Sequence, residues 1–256
     1  MNRIFNAQLF GPLVAMILVA VVVASTTDRF LTTGNLSNLS LQVSIVALIA
    51  IGATIVIIGA GIDLSSGSMV ALLTMLLAEM VKFLHVPLPL ALLLVLGFGA
   101  LLGLTIGVIS AYGRIPSFIT TLAALIALRG VALTFNNGSP IFSLDPMLEP
   151  VFYGRMLGIP LPFFYVLGFF SLATIMMNFT RLGREIYAVG GNPAAAALSG
   201  INVRRVQTYT FVIAGIMTAV GAILMSARLN SGSPNYGQTL ELQAIAAAVV
   251  GGASLP

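Results

Sequence analysis

The chain has no cysteine and a single histidine, His85. Without cysteine there are no disulfides and no thiolate ligands, and one histidine is too few to build a histidine metal site, so no metal is expected. Charge is scarce as well. Only 7% of the 256 residues are Asp, Glu, Lys or Arg, against about 25% in ordinary soluble domains, so a water-exposed globular surface cannot be built. Lys82 is the sole lysine and no G-x-x-x-x-G-K-[ST] phosphate loop exists, which excludes ATP hydrolysis by that device. There is also no paired catalytic carboxylate motif, and with one histidine this counts against a membrane-embedded enzyme. The pI is near 9.9, but the 11 basic residues are dispersed between apolar runs and form no stripe for nucleic acid.

What the chain has is oil: 59% of its residues are hydrophobic and its mean hydropathy is +1.09. Several uncharged runs reach or approach the roughly 20 residues that cross a bilayer. The expected fold is all-α, a polytopic helical membrane protein with about seven to eight spans in a single domain over residues 1–256. Spans are placed at Leu9–Ser25, Leu41–Ala60, Ser66–Val81, Pro87–Ala111, Ser117–Phe135, Ile159–Phe179 and Gln207–Ser226, with a weaker apolar segment from Leu240. Arg3 and the run after it imitate a secretory signal, but the run is long for one and many spans follow, so it reads as a retained first helix. Four arginines cluster at residues 181–205, which places that loop, and with it the N-terminus, in the cytoplasm.

Within that loop lies a miniature helix with its own punctuation, between Arg184 and Glu185 on one side and Arg204 and Arg205 on the other. Asn192 suits the N-cap, Pro193 the first helical position, and Gly200 the left-handed residue past the end. Ala194, Ala195, Ala196 and Leu198 are helix formers. A helix of under two turns is marginal alone in water, so it either docks in a groove of a partner or is a plain capped connector.

The stretch at residues 59–68 reads as a broken helix. Gly59, Gly61, Ser65, Ser66, Gly67 and Ser68 crowd around Asp63 directly after an apolar run. Irregular backbone at membrane depth survives only when buried in protein or lining a wet cavity, and an ionisable residue there is a functional candidate. Asp63 either N-caps the helix starting near Ser65 or lines a pathway, and the two are compatible. Arg129, inside a span, costs at least about 2.5–3.5 kcal/mol to insert. It faces the protein interior, paired with Glu79 or Glu241, or it lines the solute route. Thr120, Thr121, Asn136 and Asn137 are further hydroxyl and amide candidates for that route, although such residues more often bond their own backbone or glue helices. Residues 136–158 form the longest loop on the outer side, a length that is commonly functional. Small residues in the fourth span (Gly97, Gly99, Ala100, Gly103, Gly107) suit close helix packing.

Four stretches carry a resemblance: "GREIYAVGGNPAAAALSGINV" (183–203), "GAGIDLSSGSMVAL" (59–72), "IPSFITTLAALIALRGVALTFNNGSPI" (115–141) and "ELQAIAAAVVGGASL" (241–255). Together they resemble, in register over essentially the whole chain, the permease subunits of ATP-binding-cassette importers of the ribose/branched-chain-amino-acid class, in its sugar branch. The resemblance implies that residues 192–200 are a cytoplasmic coupling helix, with Arg184, Glu185, Gly190, Asn192, Ala194, Ala195, Ala196, Leu198 and Gly200 facing the coupling machinery. The residues themselves, beside the resemblance, offer Asp63, Ser65, Ser66, Thr120, Thr121, Arg129, Asn136 and Glu241 as candidates for the pathway. The resemblance further implies a monosaccharide or polyol as solute, a bacterial inner-membrane location, and no enzyme activity in this chain. The partners it implies are a cytoplasmic ATPase holding ATP and Mg, a periplasmic sugar-binding protein and a second permease subunit, identical or not. The chain itself would bind no cofactor.

Such permeases usually continue past the Gly-Gly-Ala-Ser-Leu stretch, so the chain is expected to be C-terminally truncated. The segment from Leu240 to Val250, about 16 Å as a helix against an apolar core of about 30 Å, would then be a half-helix with unpartnered last carbonyls, and residues beyond Ser226 would be loosely held. The alternative class is a secondary transporter of a small polar solute, which also uses broken helices and repeats. A faint echo between residues 51–67 and 242–256 points that way. Few membrane carboxylates, Asp63, Glu79 and Glu241, point against ion coupling.

Overall fold

The computed structural model describes residues 7–253; Arg3 at one terminus and Pro256 at the other lie outside them. Each apolar run becomes a helix: α1 (Ala7–Thr26), α2 (Thr33–Ile58), α3 (Ser66–Lys82), α4 (Leu88–Gly113) and α5 (Ser117–Thr134). The bounds are close to those expected except at α2, which begins eight residues before Leu41, where the Thr32 side chain caps it. After β1 (Ile141–Phe142), α6 (Leu148–Tyr153), β2 (Arg155–Met156) and β3 (Ile159–Pro160) come α7 (Leu161–Phe179), α8 (Arg181–Gly191) and α9 (Pro193–Leu198). The last elements are α10 (Val203–Leu229), β4 (Ser231–Gly232) and α11 (Leu240–Val250). Among the described residues five helices, α2, α4, α5, α7 and α10, are long and apolar enough to cross a membrane. The protein is an all-α polytopic membrane protein.

The boundaries follow local chemistry. The Asn202 side chain accepts from Arg205 N at 3.1 Å and starts α10, four residues ahead of the expected Gln207. Pro87 and Pro116, which cannot continue a helix hydrogen-bond ladder from within, stand just before α4 and α5.

Helix α10 is the central post, packed on α2, α3 and α4. The α4 contact is close because glycines face it. A β-carbon added at Gly103 would fall 2.2 Å from the Phe211 carbonyl oxygen, and one at Gly215 would fall 2.2 Å from the Gly99 oxygen. Gly97, by contrast, has nothing near it. Only part of the glycine stripe is therefore a packing seam.

Two helices are broken. α2 ends at Ile58, and residues 61–65 are irregular before α3 begins. α10 ends at Leu229 with left-handed Asn230, and residues 233–239 form an irregular strap before α11. The strap runs along α3, since an added β-carbon on Gly232 would meet the Thr74 oxygen at 2.4 Å and one on Gly237 the Gly67 oxygen at 2.2 Å. Those two contact points are seven residues apart on α3, about 10 Å of helix. α11 thus starts deep in the bundle, beside the first turn of α3, and packs against α2.

Residues 227–240 are packed into the bundle, contrary to the expectation of a loosely held segment. Ser231, Gly232, Ser233, Pro234 and Gly237 are buried, and β4 pairs antiparallel with β1. α11 also closes properly: Gly252 is left-handed (φ 103), Gly252 N donates to Val249 O and Ala253 N to Ala248 O. That is a Schellman closure, which partners the Ala248 and Val249 carbonyls that the sequence suggested would be left free. The half-helix itself is as expected.

The bundle has two distinct ends. At one, the loop over residues 136–160 is a built cap rather than a plain loop. Leu148 and Phe152 of α6 are fully buried, Asn230 Oδ1 accepts from Leu144 N and Asp145 N, and Lys82 Nζ donates to Ser143 O at 2.9 Å. The other end carries α8, α9 and the residue 59–61 turn.

Candidate functional site

The end opposite the cap is shaped by α8, which the sequence reading did not resolve as a separate helix. Thr180 caps it, its side chain accepting from Gly183 N at 3.2 Å, and Gly183, Ile186 and Val189 form its buried stripe. Two glycines let it sit directly on backbone. An added β-carbon at Gly183 would fall 2.2 Å from the Met177 oxygen at the end of α7, and one at Gly190 would fall 1.7 Å from the Ile58 oxygen at the end of α2. Arg184 points out to solvent, while Arg181 Nε donates to Glu185 Oε1 at 2.7 Å, the one ion pair among the described residues. Glu185 is therefore engaged within its own helix.

α9 is the expected miniature helix. Asn192 Oδ1 accepts from Ala195 N at 3.0 Å, Pro193 follows, and Gly200 is left-handed at φ 82. Ile201 N donates to Ala196 O and Gly200 N to Ala197 O, again a Schellman closure. Ala196 is not a presented residue: it is 4% exposed and packs in a small core with Ile186, Val189 and Ile201. Ala194 and Ala195 are exposed, and Leu198 is 91% exposed. Leu198 thus points away from the protein while Ala196 anchors the same short helix inward.

The second cluster lies where the two broken helices meet. Asp63 is buried, and its Oδ1 accepts from Ser65 N at 2.8 Å and Ser65 Oγ at 2.6 Å. This corrects the capping expectation. Ser65 holds the N-cap position of α3 and makes no side-chain cap bond, while Asp63 shapes an Asx turn two residues earlier. The irregular segment is tied to α5, with Ile62 N donating to Ser117 Oγ (3.0 Å) and Thr121 Oγ1 donating to Ile62 O (3.2 Å). Across from it, a β-carbon on Gly67 would fall 2.0 Å from Glu241 Oε2. The half-buried Glu241 carboxylate therefore rests on the first turn of α3, the end of a helix that favours negative charge.

The structure thus brings together Asp63, Ser65, Ser66, Thr121 and Glu241 around the start of α3. Thr120 is buried with its hydroxyl unpartnered. Arg129 makes no ion pair with Glu79 or Glu241; its Nη1 donates instead to Pro234 O and, at 2.7 Å, to Tyr236 O. The strap's carbonyls, invisible in sequence, are its counter-group. Asn136 is elsewhere: it sits in the 3-10 turn at residues 135–138 with φ 45, and its amide donates to Ser139 O at 3.1 Å. Asn137, also left-handed at φ 52, shares that turn.

Between α2, α7, α8 and α11 lies a cavity of about 450 Å³, lined mostly by apolar side chains with Thr54, Thr174 and Asn178 among them. Among the described residues no group of acidic or histidine side chains is arranged to hold a metal ion.

Against known proteins, the family described as "Branched-chain amino acid transport system / permease component" matches residues 35–256. The chain is 40% identical over 246 residues to the ribose import permease protein of Haemophilus influenzae, covering 94% of this chain and 76% of that protein. It is 38% identical over 250 residues to the ribose import permease protein of Bacillus subtilis, covering 97% and 77%. To the xylose transport system permease protein of Escherichia coli it is 33% identical over 312 residues, covering 98% and 79%. No solved structure matches. A family match over most of the chain, on an all-α bundle with helices of membrane length, is decisive: this chain belongs to the branched-chain amino acid transport system permease family.

Proposed function

We propose that the chain is the membrane-spanning permease subunit of an ATP-binding-cassette importer, passing a monosaccharide of the ribose or xylose kind, or a related polyol, across a bacterial inner membrane. The observation that carries this is the α8–α9 unit. Gly183 and Gly190 seat it on the ends of α7 and α2, a small core shared with Ile55, Met177 and Val206 anchors it, and Leu198, 91% exposed, is free to meet another protein. An ion-coupled carrier has no use for such a unit.

In this reading the α8 end is cytoplasmic and so is the N-terminus. A partner ATPase, holding ATP and Mg, grips α9, and its closure pushes α8 against the Ile58 end of α2 and the nearby end of α11. The cap at residues 136–160 faces a sugar-binding protein outside, and a second permease subunit completes the pore. Asp63, Ser65, Ser66, Thr121 and Glu241 supply hydroxyl and carboxylate partners for a neutral, hydroxyl-rich solute where the two broken helices meet. The chain performs no chemistry of its own and needs no cofactor.

The test is affinity purification of the tagged permease, expressed with its gene neighbours in a bacterial host. A soluble ATPase co-purifying in near-stoichiometric amount, and lost on Leu198→Glu, supports the proposal. A permease that purifies alone and still takes up sugar overturns it.

A further inference from the structure

The strap at residues 233–239 is irregular backbone inside a helical bundle, where each polar group needs a protein partner. Some of its needs are met locally. Asn235 N donates to Ser233 Oγ, Tyr236 N to Ser233 O, and the Tyr236 hydroxyl lies 2.6 Å from Ser231 Oγ. Two carbonyls, those of Pro234 and Tyr236, are served from outside by one side chain, Arg129 of α5.

The same helix serves the other broken segment. Ser117 and Thr121 hold both the N–H and the carbonyl of Ile62. α5 therefore grips residues 59–65 near its start and residues 233–239 near its far end, each by side-chain bonds to backbone. The strap is continuous with β4, which is paired to β1 of the cap, and it leads into α11, whose far end shares a cavity wall with Gly190 and Gly191 of α8. A chain of contacts thus runs from the cap, through the strap, to α11, whose far end faces α8 across that cavity, and α5 holds the strap at Arg129.

We infer that Arg129 is a positioning residue for transport: it pins the strap to α5 and thereby sets where α11 starts against α3. It touches no solute in this role. A guanidinium suits the task because it is always charged and planar, so it can serve two carbonyls in one geometry at membrane depth. Lysine keeps the charge but is a point donor on a differently shaped stem. Glutamine keeps one donor group without the charge.

The functional half of this inference rests on the proposed ATP-driven import; the structural half does not, and the experiment separates them. The chain has no native cysteine, so Ser233→Cys, at a buried position next to the clamp, introduces a unique thiol for labelling. In membranes holding the permease with no partner, that thiol should resist a small maleimide, label at least about tenfold faster with Arg129→Gln, and at an intermediate rate with Arg129→Lys. Equal labelling in all three overturns the clamp. If the Gln variant is not inserted, the Lys variant, which keeps the charge, decides alone.

With the partners reconstituted, Arg129→Gln should lower the maximal uptake rate about tenfold while leaving ATP hydrolysis and the half-saturating sugar concentration near wild type, and Lys should restore part of the rate. A fold defect would instead lower uptake and hydrolysis together. Unchanged sugar moved per ATP in the Gln variant, with the introduced thiol exposed, overturns the positioning role. Failure of the wild-type chain to respond to ATP at all would overturn the importer proposal and leave the labelling result standing.

Discussion

Gly190 and Gly191 are adjacent, both at the end of α8, and the structure assigns them opposite sensitivities. A β-carbon on Gly190 would lie 1.7 Å from the Ile58 carbonyl oxygen and 2.9 Å from its carbon, whereas one on Gly191 meets nothing within 4 Å. Backbone cannot step aside as a flexible side chain can, so Gly190→Ala must lift α8 off α2 by more than 1 Å, on the order of the shortfall from ordinary contact. Inserting atoms into a packed contact costs about 1–3 kcal/mol, and alanine returns up to about 1 kcal/mol of helix propensity. Gly190→Ala should therefore destabilise by up to about 2 kcal/mol, and Gly191→Ala should be neutral or slightly stabilising. Because the lifted surface is the contact between the α8–α9 unit and the spans, transport should fall steeply in the first variant and stay intact in the second. The assay is thermal unfolding in detergent beside sugar uptake in cells, with membrane levels matched. Indistinguishable melting and uptake for the two alanines would refute the backbone-contact argument.

Leu198→Ser should leave thermal stability unchanged, since the side chain is 91% exposed, yet weaken retention of the ATPase in a pulldown; a stability loss without weaker retention would make Leu198 structural. Ala196→Glu should instead unfold the α8–α9 unit, seen as protease cleavage near residues 190–200, because Ala196 is buried with Ile186 and Val189; resistance to protease would contradict that core. Asp63→Asn should keep an acceptor for Ser65 and most of the transport, whereas Asp63→Leu loses both bonds, at about 0.5–1.5 kcal/mol or more each. Uptake should rank wild type, Asn, Leu, and equal uptake in all three would remove Asp63 from the site.

The sequence showed most of the helices because its signal is one-dimensional: an uncharged run of membrane length has one low-energy fate in a bilayer. The same holds for α9, whose cap, first-turn proline and left-handed glycine are all local. What stayed hidden depended on contacts far along the chain. Arg129 was recognised as needing a partner, but carbonyls of residues over 100 positions away carry no sequence mark. The Gly67–Gly237 approach joins two unremarkable glycines. α8 was legible in retrospect, from Thr180 as a cap and apolar residues at 182, 186 and 189, but its polar face and its Gly-Gly ending resembled a loop. Asn136 looked like a pathway group and proved to be a turn former, because residue type alone does not distinguish an amide that serves a solute from one that closes its own backbone.

The most direct measurement is sugar uptake by the permease reconstituted in vesicles with the ATPase and binding protein that the proposal assigns to it. The account predicts uptake of ribose or a similar pentose that requires ATP on the α8 side and the binding protein on the cap side, and that is indifferent to proton and sodium gradients. Uptake driven by an ion gradient with no ATP and no ATPase present would contradict it.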